Sequence, residues 1–284
     1  MIRTFRHSEF PLELLLERKR GSVTVVLPTR EVADTIGRIV EQLQSLDGLI
    51  DQILVVDAAS EDGTAGIASG LGAEVHQESE LLPEHGSALG KGDAMWRALS
   101  VARGQLIAYL DSDTRNFSRH FATGLVGPLL CHDEIRFVKG FFRRPFVTPD
   151  GHQSPLDGGR VTELTARPLL KAFYPELAGF LQPLAGEVAA PRWFFEQLPF
   201  ATGYGIETSM LLHARDALGG TVGMAQVDLE ERHNRHQPLL DLAPMAQTVL
   251  AVILERLRRE GRLVDEDAGE LVERPAHAAL RARA

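Results

Sequence analysis

Cysteine is nearly missing from this chain, with Cys131 the only one in 284 residues. A lone thiol forms no intrachain disulfide and no thiolate metal cluster, which removes two ways of stapling a fold. Positive charge is in deficit, since 30 Lys and Arg face 39 Asp and Glu for a net charge of −9. That balance argues against non-specific binding to nucleic acid or to acidic membrane surfaces. No uncharged apolar run reaches bilayer-spanning length. The first residues lack the basic-then-apolar plan of a secretory signal, so a cytoplasmic chain is expected. Two phosphate-binding devices are also absent. The turn after the first expected strand, Pro28-Thr29-Arg30-Glu31, has none of the glycines of a dinucleotide fingerprint, and no P-loop occurs anywhere. If this chain handles phosphates, it does so with a metal and side chains.

What is present starts from Gly104-Gln105-Leu106-Ile107-Ala108-Tyr109-Leu110-Asp111-Ser112-Asp113. An apolar run ending in two acids reads as a buried parallel strand that delivers carboxylates to the carboxyl edge of a sheet. In open α/β sheets that edge is where ligands sit. Hard oxygen donors there suit Mg²⁺ or Mn²⁺, which in turn clamps a diphosphate. The plainer alternative is that the acids only cap the strand at a turn.

The chain length allows one large core or two small ones, and 44% hydrophobic with 24% charged residues is ordinary for a globular protein. Residues 1–21 read as an N-terminal arm with Leu12, Leu14, Leu15 and Leu16 to bury. Val23–Pro28 reads as a strand that the proline stops. Asp34-Thr35 offers a cap for a helix with Ile36, Ile39, Val40, Leu43 and Leu46 on its apolar face. Gln52–Asp57 is a second strand, again ending in an acid, followed by the breaker-rich turn Ala58–Thr64, a helix through Ile67 and a short strand near Val75. Strand–helix–strand alternation of this kind predicts a mostly parallel α/β sheet. Gly90-Lys91-Gly92 then opens a helix, placing an ammonium and a helix N-terminus together, as a phosphate would require. A solvated surface lysine is the alternative.

These blocks, in this order, resemble the nucleotide-sugar half of a GT-A glycosyltransferase. Further on stand Phe141–Pro145, Gly158-Gly159-Arg160-Val161-Thr162-Glu163-Leu164, Arg167-Pro168-Leu169-Leu170, Gln182-Pro183-Leu184-Ala185-Gly186-Glu187 and Gly203-Tyr204-Gly205-Ile206-Glu207. With these the chain resembles the retaining glucosyl- and mannosyl-3-phosphoglycerate synthases over roughly residues 22–245. Asp-Ser-Asp is shared widely among GT-A enzymes, whereas Gly-Gly-Arg-Val-Thr-Glu-Leu with Gln-Pro-Leu-x-Gly-Glu is much more specific.

The resemblance implies a nucleotide-sugar half over 22–145, an acceptor half over 146–240, and a C-terminal helix and tail over 241–284. It implies transfer of a hexose, glucose first, from a nucleoside diphosphate sugar to 3-phosphoglycerate with retention, using Mg²⁺ or Mn²⁺. Donor contacts fall on Leu27, Pro28, Thr29, Asp57, Lys91, Asp111 and Ser112. Acceptor contacts fall on Gly159, Arg160, Thr162, Arg232 and His236, and the catalytic acids are Asp111 and Glu207. The metal falls to Asp113 with a residue from His233-Asn234. Arg160 after a glycine also suits a small tri-anion on its own chemistry, through a planar fork beside accessible backbone. Arg143-Arg144 is a second choice, and Glu187 either orients a sugar hydroxyl or caps a helix.

Two departures from the family pattern are visible. Asn234 stands where the family has a metal-binding histidine, with His233 and His236 on either side, so the ligand is the Asn234 amide, a shifted His233, or a weaker site. Glu31-Val32 replaces the usual Asn-Glu. Alternatives are a GDP-mannose-using transferase, a fold that binds its ligands without turnover, and a nucleotidyltransferase; the last would want a basic, glycine-rich first loop. A homodimer is the expected assembly, and the charged tail after Arg262 is expected to be mobile or to bind a partner.

Overall fold

The computed structural model describes residues 2–147, 153–154, 159–234, 238, 240–263 and 273–281. Eight strands form the main sheet: β1 (Arg3–Arg6), β2 (Val23–Thr29), β3 (Gln52–Asp57), β4 (Glu74–Gln77), β5 (Leu106–Tyr109), β6 (Phe137–Arg143), β7 (Val188–Pro191) and β8 (Met224–Glu231). Their order is β1-β8-β6-β7-β5-β2-β3-β4, and only β7 runs antiparallel to its neighbours. This is the mostly parallel α/β sheet flanked by helices that the alternation predicts. Strands covered on both faces need apolar side chains on both, and β2 accordingly buries Val23, Val25, Val26 and Leu27 completely. One core layer packs the sheet against helices Ala33–Gln44 and His120–Cys131, the other against Lys91–Ala98, Ile206–Ala217 and Ala243–Arg259.

Several local expectations are corrected. Pro28 does not stop β2, which continues to Thr29 with Pro28 opposite Val56. The Val26 carbonyl accepts from the Leu110 N–H, so the alternating positions 26 and 28 face β5. Pairing with β5 ends at Val26, and the Pro28 position therefore has no ladder partner for an N–H to lose. Asp34 and Thr35 do not cap their helix. The turn after β3 caps it from outside: Val32 N–H donates to Thr64 Oγ1 and Ala33 N–H to Asp62 Oδ2, both at 2.9 Å. Thr35 instead reaches the Ser112 carbonyl at 2.6 Å, tying this helix to the end of β5.

The N-terminal residues pack on their own chain. β1 is an edge strand with Phe5 opposite Val227, and Leu15 is fully buried. The described part of the C-terminal tail, residues 273–281, likewise packs on its own chain as a strap, and residues 264–272 and 282–284 lie outside the described residues. Glu273-Arg274 pairs with Phe200-Ala201, and Arg274 grips the buried Asp93 through Nε at 2.7 Å and Nη2 at 2.9 Å. Trp96 Nε1 donates to the Pro275 carbonyl at 2.7 Å. A carboxylate buried inside the Lys91–Ala98 helix requires cations, and Arg97 and Arg274 supply them. Among the described residues no helix is long and apolar enough to cross a membrane.

Candidate active site

A cleft of about 630 Å³ opens at the carboxyl ends of β2 and β5. One wall comes from Pro28–Val32, Lys91 and Asp111–Asp113, and the other from Arg144, Gly159–Thr162, Glu207 and Arg232. β5 ends at Tyr109, Leu110 N–H still reaches the Val26 carbonyl, and Asp111–Asp113 then cross the open edge. Ser112 pins this crossing by donating its hydroxyl to the Pro28 carbonyl at 2.6 Å.

The polar centre is built from four acids, Asp111, Asp113, Glu187 and Glu207, around two cations, Lys91 and Arg232. Lys91 Nζ lies 2.5 Å from Asp111 Oδ1 and 2.7 Å from Glu207 Oε1. Arg232, only 2% exposed, bonds Asp111 Oδ2 at 2.8 Å and also pairs with Asp113 Oδ1. Its Nη1 lies 3.0 Å from Glu187 Oε1. Burial opposes the charge on Asp111, but Lys91 and Arg232 outweigh it and hold that carboxyl far below its usual range. Burial likewise works against Lys91, and Asp111 with Glu207 reverses the effect and raises its pKa. Glu187 goes the other way. Burial pushes its carboxyl up despite Arg232, and neither of its oxygens has a hydrogen-bond partner among the described residues. Lys139, wholly buried and donating to the Ala185 carbonyl at 2.6 Å, is pushed down to about 8 by burial.

Two glycines make this centre possible. A Cβ at Gly186 would collide with the Asp111 carboxylate and the Lys91 ammonium, and one at Gly92 would strike the Ala201 carbonyl. The Gln182–Glu187 block therefore supplies space at Gly186 and a buried carboxylate at Glu187, which neither caps a helix nor lines the cleft.

Of the expected donor residues, Pro28, Thr29, Lys91, Asp111 and Ser112 line the cleft, while Leu27 and Asp57 do not. Leu27 points into the core, as alternation along a strand requires once Pro28 faces the edge. Asp57 is consumed by its own turn and by the ends of the two flanking strands: Oδ1 accepts from the Thr29 and Ser60 hydroxyls at 2.9 and 2.7 Å, and Oδ2 from the Ser60 N–H at 2.9 Å and Gln77 at 3.3 Å. Its side chain braces the turn, and Ala58 beside it lines the cleft.

Of the expected acceptor residues, Gly159, Arg160, Thr162 and Arg232 line the cleft, and His236 lies outside the described residues. Gly159 has φ +87°, which favours glycine at the start of that helix. At the odd segment, Asn234 lines the cleft, whereas His233 is turned outward onto Glu231. The backbone of His233 is held there by its N–H on Asn116 Oδ1 and by its carbonyl, which accepts from the Arg115 N–H, both at 2.8 Å.

Arg144 belongs to the cleft with more weight than a second choice. Its guanidinium lies 5.0 Å over the Phe142 ring, which Arg232 also approaches at 5.2 Å. Its Nε has no partner among the described residues, and burial with the nearby Arg232 lowers its pKa. Strand alternation is the signal that could have selected it: Phe142 is buried and Arg143 exposed, so Arg144 turns back inward. Glu31 and Val32, the departure noted from the family pattern, both line the cleft, Glu31 with φ +52°; Glu78, whose buried Oε2 has no partner among the described residues, lines it without having been singled out.

The Glycosyl transferase family 2 model matches residues 24–134, the part holding β2 through β5. Glucosyl-3-phosphoglycerate synthase of Petrotoga mobilis is 42% identical over 269 residues, covering 92% of this chain and 82% of that one. The crystal structure of mannosyl-3-phosphoglycerate synthase from Rubrobacter xylanophilus superposes with a TM-score of 0.90 at 47% identity, covering 98% and 97% of the two chains. Glucosyl-3-phosphoglycerate synthase from Mycobacterium tuberculosis, solved with Mn²⁺, uridine diphosphate and glucosyl-3-phosphoglycerate, gives 0.87 at 36% identity, covering 99% and 100%. Similarity that runs through both walls of the cleft, and not only through the common nucleotide-sugar part, places this chain in the glucosyl-3-phosphoglycerate synthase family of glycosyltransferases.

Proposed function

We propose that this enzyme transfers glucose from UDP-glucose to the free hydroxyl of 3-phosphoglycerate, with retention at the anomeric carbon. The observation that carries the reading is one cleft with an acid cluster at the end of β5 and, across from it, cationic groups suited to a small polyanion. Arg144, with its buried partnerless Nε, and Arg160 beside Gly159 are those groups.

The donor set fits a hard divalent cation. Asp113 is half exposed to the cleft with one oxygen on Arg232, and Asn234 adds an amide oxygen, so an oxygen shell suited to Mg²⁺ or Mn²⁺ is at hand. When bound, the cation would neutralise the leaving diphosphate. Lys91 and Arg232 would meet diphosphate oxygens, and Asp111 holds both cations in place. Glu207 faces the sugar from the start of its helix. Both Asp111 and Glu207 are paired with Lys91, which lowers their power as nucleophiles. Positioning and electrostatics would therefore supply most of the rate. Arg144, Arg160 and Thr162 would take the phosphate and carboxylate of the acceptor.

GDP-mannose is the second donor reading, favoured by the 47% identity to the Rubrobacter mannosyl enzyme. We also propose a cytoplasmic homodimer, a reading supported by the single cysteine and by the half-exposed Trp193, apolar surface that a second copy would cover. The deciding experiment incubates purified protein with 3-phosphoglycerate, Mg²⁺ or Mn²⁺ and a panel of nucleotide sugars, then identifies product and anomer. Glucosyl-3-phosphoglycerate with the donor's anomeric configuration is expected from UDP-glucose. Faster turnover of GDP-mannose would exchange the two readings, and no product from any donor would overturn both.

A further inference from the structure

Away from the cleft, at the carboxyl ends of β1 and β8, His7, His120 and Glu230 converge, each with a donor atom within 4.8 Å of the other two. His7 follows β1, His120 opens the His120–Cys131 helix, and Glu230 sits where β8 shifts register against β6 between Asp228 and Glu231. His7 Nε2 is 2.9 Å from Glu230 Oε1, and the two imidazole rings lie 4.5 Å apart, centroid to centroid.

Three details show that the chain makes room for this arrangement. Glu230 adopts φ +68°, a left-handed conformation that is costly for a side chain of this kind, braced by its N–H on Asp228 Oδ1 at 2.8 Å. Gly124, one turn after His120, is where a Cβ would come within 3.0 Å of the His7 Cβ, so His7 lies close against the helix only because glycine is there. His120 Nε2 is 3.1 Å from the Leu229 carbonyl, the kind of hydrogen bond that fixes a tautomer and leaves the other ring nitrogen as a lone-pair donor.

We propose that His7, His120 and Glu230 form a second metal site, selective for zinc-class transition ions, with its fourth position open to solvent. Two imidazoles and a carboxylate are a donor set that Zn²⁺ and Co²⁺ accept and Mg²⁺ does not prefer. A tetrahedral shell with bonds of about 2.1 Å separates its donors by about 3.4 Å, so small side-chain rotations complete it. The ion would clasp the end of β1 to the β8 bulge. That bulge lies two residues before Arg232, so the site also steadies the backbone from which Arg232 enters the cleft.

The test uses metal-stripped full-length protein carrying Asp113→Ala, which disables the cleft's own ligand. Zn²⁺ titration by calorimetry is expected to show one equivalent per chain and a rise in Tm. His7→Gln or His120→Ala added to that background should weaken this binding by about a hundredfold or more, since even the outer hydrogen bonds of such sites are worth about ten- to a hundredfold. Both changes should also abolish the Tm rise. His7 is only partly buried, so His7→Gln keeps the test open if His120→Ala folds poorly. Zn²⁺ binding unaltered by either change, or no binding tighter than millimolar, would overturn the site and leave His7–Glu230 as a simple ion pair.

Discussion

β3 and β5 end alike, each an apolar run closed by an acid, yet the two acids live in different chemistry. Asp57, at the end of β3, receives all its bonds from neutral groups: the Thr29 and Ser60 hydroxyls, the Ser60 N–H and the Gln77 amide. Asp111 and Asp113, past the end of β5, are held instead by two cations, Lys91 and Arg232. A carboxylate satisfied by neutral donors has been settled by folding. Carboxylates held by cations that line the cleft retain charge that a metal or a diphosphate can claim by exchange, and that difference separates scaffold from site.

Asp113→Ala should widen the contrast most. Metal-dependent turnover is expected to fall at least about a hundredfold, as losing the anchor of a cation worth several kcal/mol implies, with Tm nearly unchanged. Full activity at saturating Mg²⁺ would remove Asp113 from the metal. Arg160→Ala comes next, with KM for 3-phosphoglycerate rising roughly ten- to a hundredfold for a lost charge-assisted contact of about 1.5–3 kcal/mol. Steady-state kinetics with each substrate varied should leave the donor KM in place; a change there instead would move the acceptor site elsewhere.

Asp57→Ala should show the inverse signature. Leaving Thr29, Ser60 and Gln77 partnerless should cost about 1–3 kcal/mol of stability, read by denaturant unfolding, with kcat kept within a few-fold. If kcat collapses while stability holds, the division between the two acids fails. The smallest effect concerns metal choice. Asn234→His should tighten Mn²⁺ or Co²⁺ relative to Mg²⁺, because imidazole favours the softer ions, while His233→Ala leaves metal affinity as it was. The reverse pattern in a metal titration would make His233 the ligand.

The composition, the strand–helix alternation and the acids after two apolar runs are local properties, and from them the parallel α/β class, the carboxyl-edge location of the cleft and the metal-suited acids could be read in advance. Lys91, Arg160 and Glu207 were also visible, because flanking glycines announce where backbone must come close. Tertiary structure decided the rest. Which acid is spent on a turn, which arginine of Arg143-Arg144 faces inward, and that Asn234 and not His233 lines the cleft all depend on partners distant in sequence. The short antiparallel β7 and the C-terminal strap belong to the same group. Their residues carry little periodicity of their own, and they are held by what they dock against: β7 by β5 and β6, and Arg274 by an Asp93 buried 181 residues earlier in the chain. Pairing of charges across such separations is set by the packed fold, where burial makes an unpaired ion costly, and no window of sequence contains both partners.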